Sequence, residues 1–312
     1  MKTIIAADIG GTGIRVAVYP FSGSTEPLAQ KRIPTRGEGT AVERLVGLIR
    51  ELWPAGHEVA GISAGFPGPV NPYEGIIYTA PNIADWKNLP LGQILSDTFH
   101  VPAMVGNDAN MACLGEWKFG AAQGHRDVIY ITISTGIGTG VISNNQLLLG
   151  AKGLATEMGH TVVNPEGPLC GCGHPGHIES YSSGTGITSF VKSQLAAGRE
   201  SSLRGISRLS AKEIAEAAVT GDSLAKEAFE IAGTYLGIGI SNFLHIFNPS
   251  IIVLGGGVSQ TGSLILDPMR RSLKERVVSE EYIKDLVITP AQLQDNCGLL
   301  GCLAWAQINF KE

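Results

Sequence analysis

The sequence predicts a two-domain α/β protein, and three observations lead to that prediction. The chain has 312 residues, which is long enough for two separate cores. Segments 3–19 and 128–142 share one pattern: a β-branched strand, a glycine turn and a second strand. A third apolar strand, at 251–258, contains three glycines and leads into a helix. That is the usual place for a nucleotide in an open α/β sheet.

Composition narrows the class of protein. Hydrophobic residues make up 44% and charged residues 16% of the chain, as in ordinary globular proteins. The net charge of −5 comes without a basic segment, which argues against nucleic acid as a partner. An odd number of cysteines, 5, does not favour a secreted disulfide framework. Without a signal peptide or a run of about 18 apolar residues, we expect a cytoplasmic protein with no membrane partner.

The first glycine turn follows Asp8 in the segment DIGGTG. One interpretation is a plain hairpin turn that needs positive φ. The other is a phosphate-binding loop, because Gly10 and Gly11 let backbone N–H groups approach an anion and Thr12 adds a hydroxyl. Asp8 would then hold Mg²⁺ directly or through water. The motif alone leaves both open, and its recurrence at 128–142 favours phosphate binding. It is neither the Walker nor the Rossmann pattern, because no helix follows the glycines.

A stretch rich in proline and glycine lies between the two hairpins. We expect an irregular loop at 63–75, which is either a connector or, through Gly65 and Gly68, a loop that contacts a ligand. In the next segment, Asn82 and Trp86 are the candidate ligand side chains. The flanking patterns predict helices near 41–53 and 90–99 and strands near 58–63 and 102–106.

Asn107 and Asp108 lie where that last strand meets a helix running to about Ala122. Asn and Asp are preferred helix caps, worth about 1 kcal/mol each. With Asn110, three cap-type residues at one junction exceed what capping needs. The functional interpretation is that Asp108 accepts a proton from a substrate hydroxyl and Asn107 orients it. A general base of this kind is worth roughly 10²–10⁴ in rate.

Residues 157–179 form a loop broken by Gly and Pro and rich in Cys, His and Glu. Two thiolates and two neutral imidazoles would satisfy a tetrahedral Zn²⁺ and balance its charge. These ligands are His160, Cys170, Cys172 and His177. His174 is a competing ligand, and a surface loop with two thiols is the alternative to a metal site. A structural zinc, worth on the order of 10 kcal/mol, would fix Glu157 and Glu179 at the two ends of the loop. His160 would offer its second ring nitrogen to a ligand.

The rest of the chain predicts mainly helices. In the helix near 222–247, Gly237 and Gly239 indicate close packing on the sheet. Another helix is predicted near 210–219, and Gly184 lies near a helix start. Cys297 and Cys302 occur in an apolar C-terminal helix, where we expect core thiols.

Two phosphate hairpins and a glycine-rich adenosine site are the layout of the actin-like (ribonuclease H-like) ATPase and sugar kinase superfamily, which this sequence resembles. That fold has two domains with a cleft between them. Within the superfamily, the sequence is similar to the ROK family of repressors and sugar kinases over nearly its whole length. The motifs that carry the similarity occur in the family's order: DIGGTGIR, PGPV, NDAN, STGIGTGVI, EMGH, CGCG-x-x-G-x-x-E and GGGV.

The resemblance implies transfer of the γ-phosphate of Mg-ATP to a hexose, usually at the 6-hydroxyl, with Asp108 as base. It implies a small domain, 1–115 with 299–312, and a large domain, 116–298, that carries the zinc loop 157–179. The residues implied to hold sugar hydroxyls are Asn82, Asn107, Glu157, His160 and Glu179. Those implied to hold phosphates are Gly10, Gly11, Thr12, Thr135, Gly136 and Gly138, with Gly255, Gly256 and Gly257 at the adenosine. A homodimer or homotetramer is also implied.

The resemblance leaves the substrate open. Glucose is the first choice, because the segment PNIADWKNLPL is similar to that of glucokinases in the family. Mannose, N-acetylmannosamine, fructose, allose and N-acetylglucosamine are alternatives, as are ADP or polyphosphate as phosphate donors. A sugar-sensing repressor would carry a helix-turn-helix before the first strand, and since that strand begins near residue 3 we expect none here. A non-catalytic sugar-binding protein would be expected to lose Asp108 or a phosphate loop, and neither is lost.

Two positions depart from the family pattern. His177 stands where the family usually has a third cysteine, and imidazole is also a good zinc ligand. Thr156 stands where the family often has glycine before the glutamate, which bears on how the backbone approaches the sugar.

Overall fold

The computed structural model describes residues 1–80, 83 and 86–311. The chain divides into two compact units. The first comprises residues 1–124, 140–156 and 292–312, and the second comprises 125–139 and 157–291. The domain limits predicted from the resemblance, 1–115 with 299–312 and 116–298, stay a prediction.

The predicted helices and strands occur in the expected order, with additional strands between them. Up to residue 124 they are β1 (Lys2–Ile9), β2 (Gly13–Pro20), β3 (Ala29–Pro34), α1 (Ala41–Glu51), β4 (Glu58–Phe66), β5 (Val70–Asn71), β6 (Ile76–Thr79), β7 (Lys87–Leu89), α2 (Leu91–Phe99), β8 (Ala103–Asn107) and α3 (Asp108–Phe119). Beyond it they are β9 (Val128–Ile133), β10 (Ile137–Ser143), β11 (Gln146–Leu147), α4 (Ile178–Ser182), α5 (Gly184–Ala196), α6 (Ala211–Val219), α7 (Ser223–Phe247), β12 (Ile251–Gly255), α8 (Ser263–Lys274), β13 (Val287–Pro290) and α9 (Cys297–Asn309).

The main sheet of the first unit has the strand order β3–β2–β1–β4–β8. β1 and β2 form the predicted hairpin, with Ile9 opposite Ile14, while β1, β4 and β8 run parallel. Leu45 and Ile49 of α1 join the apolar core of this sheet. The parallel strands end together, so the β1–β2 turn and the start of α3 both follow strands of one sheet.

A second, small sheet follows β4, and its first strand, β5, lies within the segment 63–75 that the sequence predicts to be an irregular loop. It has the order β5–β6–β7, with Val70 opposite Ile77. Trp86, a candidate ligand side chain by sequence, is buried and stacks on Phe66 with ring centroids 5.0 Å apart. Trp86 is therefore a core residue. The sequence does not reveal these strands, because each is only two to four residues long and turn residues such as Pro72 and Gly75 separate them.

Helices α3 and α9 cross at glycines within the first unit. A Cβ at Gly115 would lie 2.6 Å from the carbonyl oxygen of Cys297, so only glycine permits this approach. Cys302 is fully buried and its thiol donates to the carbonyl of Ala7 at 3.3 Å. Helix α9 thus packs on β1, which agrees with the predicted core position of Cys302.

A buried carboxylate on α3 holds the segment that leads into α9. Glu116 is fully buried. Its side-chain oxygens accept hydrogen bonds from Ala121 N at 2.8 Å, Gln292 N at 3.1 Å and Leu293 N at 2.8 Å. Three backbone N–H groups therefore take the place of water around the Glu116 side chain. A buried carboxyl group needs such hydrogen bonds to avoid a large loss of stability.

The substitution Glu116→Gln is expected to lower the free energy of unfolding by about 3 kcal/mol, because a buried amide group would face backbone donors. Urea unfolding measures the change. The exposed Glu74 provides the control, since Glu74→Gln should change stability by less than about 0.5 kcal/mol. Equal, small effects at both positions would contradict a supporting role for Glu116.

The second unit is built around the sheet β11–β10–β9–β12–β13, in which β12 runs parallel to β9 and β13. Gly237 and Gly239 of its helix α7 face other helices, whereas the sequence pattern predicted that they pack on the sheet. A Cβ at Gly237 would lie 2.7 Å from the Cβ of Ser272 in α8, and one at Gly239 would overlap Ile178 in α4. None of the helices in the described ranges is long and apolar enough to cross a membrane.

Candidate active site and metal centre

The turn between β1 and β2 is held by hydrogen bonds to its carbonyl groups. Gly10 N donates to Gly13 O at 2.8 Å, Thr35 N donates to Thr12 O at 3.2 Å and the Thr35 hydroxyl donates to Gly10 O. Gly10 and Gly11 do not have positive φ, so the interpretation of these glycines as residues of a hairpin turn that needs positive φ is wrong. The hydrogen bonds hold this turn, and positive φ at the glycines is not required for it.

A small polar cavity of about 190 Å³ adjoins this turn. Its lining consists of Asp8, Gly10, Thr12, Gly13, Arg15, Arg32 and Asp295. Arg15 donates to the Oδ2 atom of Asp8 from Nε at 3.0 Å and also from Nη2. Burial disfavours the Arg15 charge, but the attraction and hydrogen bond of Asp8 outweigh this and raise the pKa of Arg15.

The oxygen atoms that line this cavity are of the type that binds a hard cation, but the net charge of the cavity does not favour one. Asp8, Asp295 and Thr12 are oxygen donors of the type that Mg²⁺ accepts. Arg15 already occupies one oxygen of Asp8, and two guanidinium groups balance the two carboxylates. The cavity on its own therefore carries no surplus negative charge to attract a cation. It suits Mg²⁺ that arrives with phosphates, since Mg²⁺ usually binds through one or two carboxylates plus phosphate oxygens.

Asn107 and Asp108 divide two roles at the start of α3. Asn107 is the N-cap, and its Oδ1 accepts hydrogen bonds from Ala109 N at 2.9 Å and Asn110 N at 3.1 Å. Its Nδ2 donates to the carbonyl of Gly68 at 3.2 Å. Asp108 is partly exposed, and its Oδ1 accepts from Ala109 N at 2.8 Å. Capping therefore accounts for Asn107, while the carboxylate of Asp108 beside it exceeds what the cap requires.

The other predicted sugar ligands of the first unit are backbone positions. Gly65 lies in β4, where a Cβ would approach Met111 at 3.2 Å and Cys302 at 3.4 Å. Gly68 has a φ of 122°, which side chains rarely tolerate. Gly65 is thus explained by packing and Gly68 by its backbone and its bond to Asn107. Asn82 lies outside the described residues.

The second predicted phosphate turn joins β9 and β10 in the second unit. Ser134 N donates to Gly136 O at 2.9 Å, closing the turn, and Thr185 N donates to Thr135 O at 3.2 Å. Glu179 accepts from Ile137 N at 2.9 Å, and a Cβ at Gly136 would lie 2.5 Å from its Oε2 atom. Glu179 therefore links this turn to the end of the Cys/His loop, which sequence patterns do not reveal.

A larger cavity of about 830 Å³ in the second unit includes predicted nucleotide residues. Thr135 and Gly257 line it, together with α5 residues such as Thr188 and Lys192. Nothing would contact a Cβ at Gly257 within 4 Å, so this glycine borders open space. Gly255 instead packs under Tyr130, and Gly256 has a φ of 83° close to the backbone of Ile133. The size lies within the roughly 300–1,000 Å³ of small-molecule sites.

The four predicted zinc ligands form one group. Candidate ligand atoms of His160, Cys170, Cys172 and His177 all lie within 4.8 Å of one another. Cys172 Sγ is 3.3 Å from His177 Nδ1, and Cys170 Sγ is 3.7 Å from His160 Nδ1. A tetrahedral zinc with S and N ligands separates neighbouring ligand atoms by roughly 3.3–3.8 Å. The residues present therefore fit a zinc ion.

The backbone of the Cys/His loop brings these ligands together. Cys170 N donates to His174 O, and Gly173 N donates to Cys170 O, each at 2.9 Å. Gly173 and Gly176 have φ values of 94° and 76°, which explains these two glycines of the motif. The competing ligand His174 is exposed and lies outside the four-residue group.

The carboxylates at the two ends of the loop lie beside this group. The Cys170 thiol donates to Glu179 at 3.3 Å, and burial raises the pKa of Cys170 to about 12. Burial also raises the pKa of Glu157, against the attraction of His160, and Glu179 raises it further. Thr156, just before Glu157, has a φ of 69°. A β-branched residue is strained there, which explains why glycine suits this position.

Comparisons with known proteins find similarity along nearly the whole chain. The model of the ROK family matches residues 4–309. The chain is 35% identical over 308 residues to a glucokinase of Streptomyces coelicolor, covering 96% of each. It is 31% identical over 317 residues to a xylose repressor of Caldicellulosiruptor bescii, covering 97% of this chain and 77% of that one. The crystal structure of a ROK family glucokinase from Streptomyces griseus in complex with glucose and AMPPNP is 35% identical, with a TM-score of 0.77 over 98% of this chain and 100% of that chain. These likenesses confirm the predicted two-domain, actin-like α/β fold.

Proposed function

Because the chain belongs to the ROK family, we propose that it is a hexose kinase that phosphorylates glucose at the 6-hydroxyl with Mg-ATP. The observation that carries this proposal is the whole-length similarity to a glucokinase solved with glucose and AMPPNP. The presence of Asp108, of both glycine turns and of the Cys/His loop supports it.

Asp108 is proposed as the general base. Its carboxylate accepts the proton of the sugar 6-hydroxyl while that oxygen bonds to the γ-phosphorus. The bond from phosphorus to the bridging oxygen breaks, and its electron pair leaves with ADP. Such a transfer depends on placement and charge neutralisation more than on covalent help. The hydrogen bond from Ala109 N to Oδ1 fixes the orientation of the Asp108 carboxylate.

The sugar is proposed to bind through its hydroxyl groups. Glu157, His160 and Glu179 contribute charged or polar side chains from the Cys/His loop. Asn107, with one amide hydrogen left after its bond to Gly68, completes the set together with Asn82, Gly65 and Gly68. In this arrangement His160 uses Nδ1 at the metal group and presents its other nitrogen to the sugar.

The nucleotide is proposed to bind at the two turns and the larger cavity. Gly10 to Thr12 and Thr135 to Gly138 hold phosphates, and Gly255 to Gly257 lie at the adenosine. Mg²⁺ held with the phosphates near Asp8 would neutralise part of their charge. Zn²⁺ held by His160, Cys170, Cys172 and His177 would be structural. The domain limits given above and assembly as a homodimer or homotetramer belong to the same proposal.

A sugar-sensing protein without kinase activity is the second candidate, favoured by the 31% identity to a xylose repressor. Kinases for mannose, N-acetylmannosamine, fructose, allose or N-acetylglucosamine, and donors such as ADP or polyphosphate, are variants of the first candidate.

The deciding experiment is ADP release from Mg-ATP with each hexose in turn and a blank without sugar. We expect release to depend on sugar and to be fastest with glucose. Faster release with another hexose would reassign the substrate. No release with any hexose or donor, while a sugar raised the melting temperature, would support the sensor instead.

A further inference from the structure

Three charged side chains form a row across the first sheet. Asp8 of β1 lies opposite Arg15 of β2, and Arg15 lies opposite Arg32 of β3. Directly opposed residues on neighbouring strands share a face, with Cβ atoms about 5 Å apart. All three side chains line the same small cavity. Two arginines and one aspartate therefore meet in a single row.

The charge of this row is balanced on one side only. Arg15 is paired with Asp8, whereas Arg32 has no ion-pair or hydrogen-bond partner among the described residues. Like charges directly opposite each other in a sheet are destabilising. No hydrogen bond or ion pair among the described residues offsets this cost at Arg32, although the carboxylate of Asp295 lines the same cavity.

Gly13 makes room for the guanidinium group. A Cβ at this position would lie 2.9 Å from Nε and 3.3 Å from Nη2 of Arg32. The Arg32 head group thus lies directly over the backbone of the first glycine turn. The carbonyl oxygens of Gly10, Thr12 and Gly13, which would repel an anion, each accept a hydrogen bond within the protein.

We propose that Arg32 is a phosphate ligand, which grips the phosphoryl end of the donor through its planar fork of N–H groups. This rests on the proposed function for the identity of the donor, but the anion site does not depend on turnover. The cavity of about 190 Å³ is smaller than the roughly 300–1,000 Å³ of whole-ligand sites, so it takes phosphate groups and not the nucleoside. A guanidinium group suits phosphate because it binds two oxygens at once.

The test compares Arg32→Gln with Lys31→Gln. Lys31 is the neighbouring cation on β3 and pairs with Glu51 at the surface, so both variants lose one positive charge. Binding of inorganic tripolyphosphate is measured by isothermal titration calorimetry. Arg32→Gln is expected to weaken it about 10- to 100-fold, the effect of losing hydrogen bonds to a charged group, and Lys31→Gln by less than about threefold. The melting temperature of Arg32→Gln should stay level or rise, because a like-charge pair is removed.

Two further variants make the result specific to the guanidinium. Arg32→Lys keeps the charge but loses the fork, so its affinity should fall between the wild type and Arg32→Gln. Gly13→Ala should weaken tripolyphosphate binding with Arg32 in place, because its methyl group displaces the guanidinium. Unchanged affinity in Arg32→Gln, or an equal loss in Lys31→Gln, would overturn the proposal. If no hexose supports ADP release but Arg32→Gln still loses tripolyphosphate, the kinase proposal fails and the phosphate site stands.

Discussion

Replacing Asp108 with asparagine is expected to lower kcat by about 10³-fold, within the range for losing a general base. The amide cannot accept the proton of the sugar hydroxyl. Its carbonyl oxygen can still accept the hydrogen bond from Ala109 N, which Oδ1 accepts at 2.8 Å in the wild type. Folding and the helix start should therefore be preserved, and glucose affinity should stay within about tenfold of the wild type.

The matched control for this variant is Asp97→Asn. Asp97 is an exposed aspartate on α2 in the same unit, so the chemical change is identical and no catalytic role is assigned to it. Its kcat should equal that of the wild type. If Asp108→Asn retained a kcat within tenfold of the wild type, Asp108 would not be the base.

Loss of the metal group is expected to have the largest effect on stability. We expect about one zinc per chain, bound by His160, Cys170, Cys172 and His177. The variant His177→Ala should lose most of the zinc and lower the free energy of unfolding by several kcal/mol, since a structural zinc contributes on the order of 10 kcal/mol. Activity should fall as well, because Glu157, His160 and Glu179 lie on or beside the loop.

His174→Ala is the control, three residues away in the same loop. His174 is exposed and outside the four-residue group, so zinc content and stability should match the wild type within about 0.5 kcal/mol. Elemental analysis and thermal unfolding of the two variants measure both quantities. Zinc loss in His174→Ala but not in His177→Ala would show that His174 is the ligand. Absence of zinc from the wild type would contradict the zinc site itself.

The fold was predictable because its signals are local and repeated. The strand, glycine turn and strand that recur at 3–19 and 128–142 are confirmed, as are most helices. The Cys/His group was also predictable, because ligand type and spacing limit what a loop can bind. The three short strands β5, β6 and β7 were not, since segments of two to four residues carry no periodic pattern.

The remaining gaps concern residues whose partners lie far along the chain. Glu116 bonds to residues 292 and 293, and Gly239 packs against Ile178. No sequence pattern shows either pairing, although a single acidic residue inside an apolar helix hints at the first. The row of Asp8, Arg15 and Arg32 depends on strand register, which the largely exposed strand β3 does not specify through a hydrophobic pattern.

The most direct test of the kinase proposal is to identify the product by ³¹P NMR after incubating the protein with glucose and Mg-ATP. We expect one glucose 6-phosphate for each ADP formed, and almost none from Asp108→Asn. Inorganic phosphate as the main product, or a phosphate ester at another hydroxyl, would contradict the proposed reaction. No phosphorus transfer from Mg-ATP, with glucose binding still detectable, would contradict kinase activity toward glucose itself.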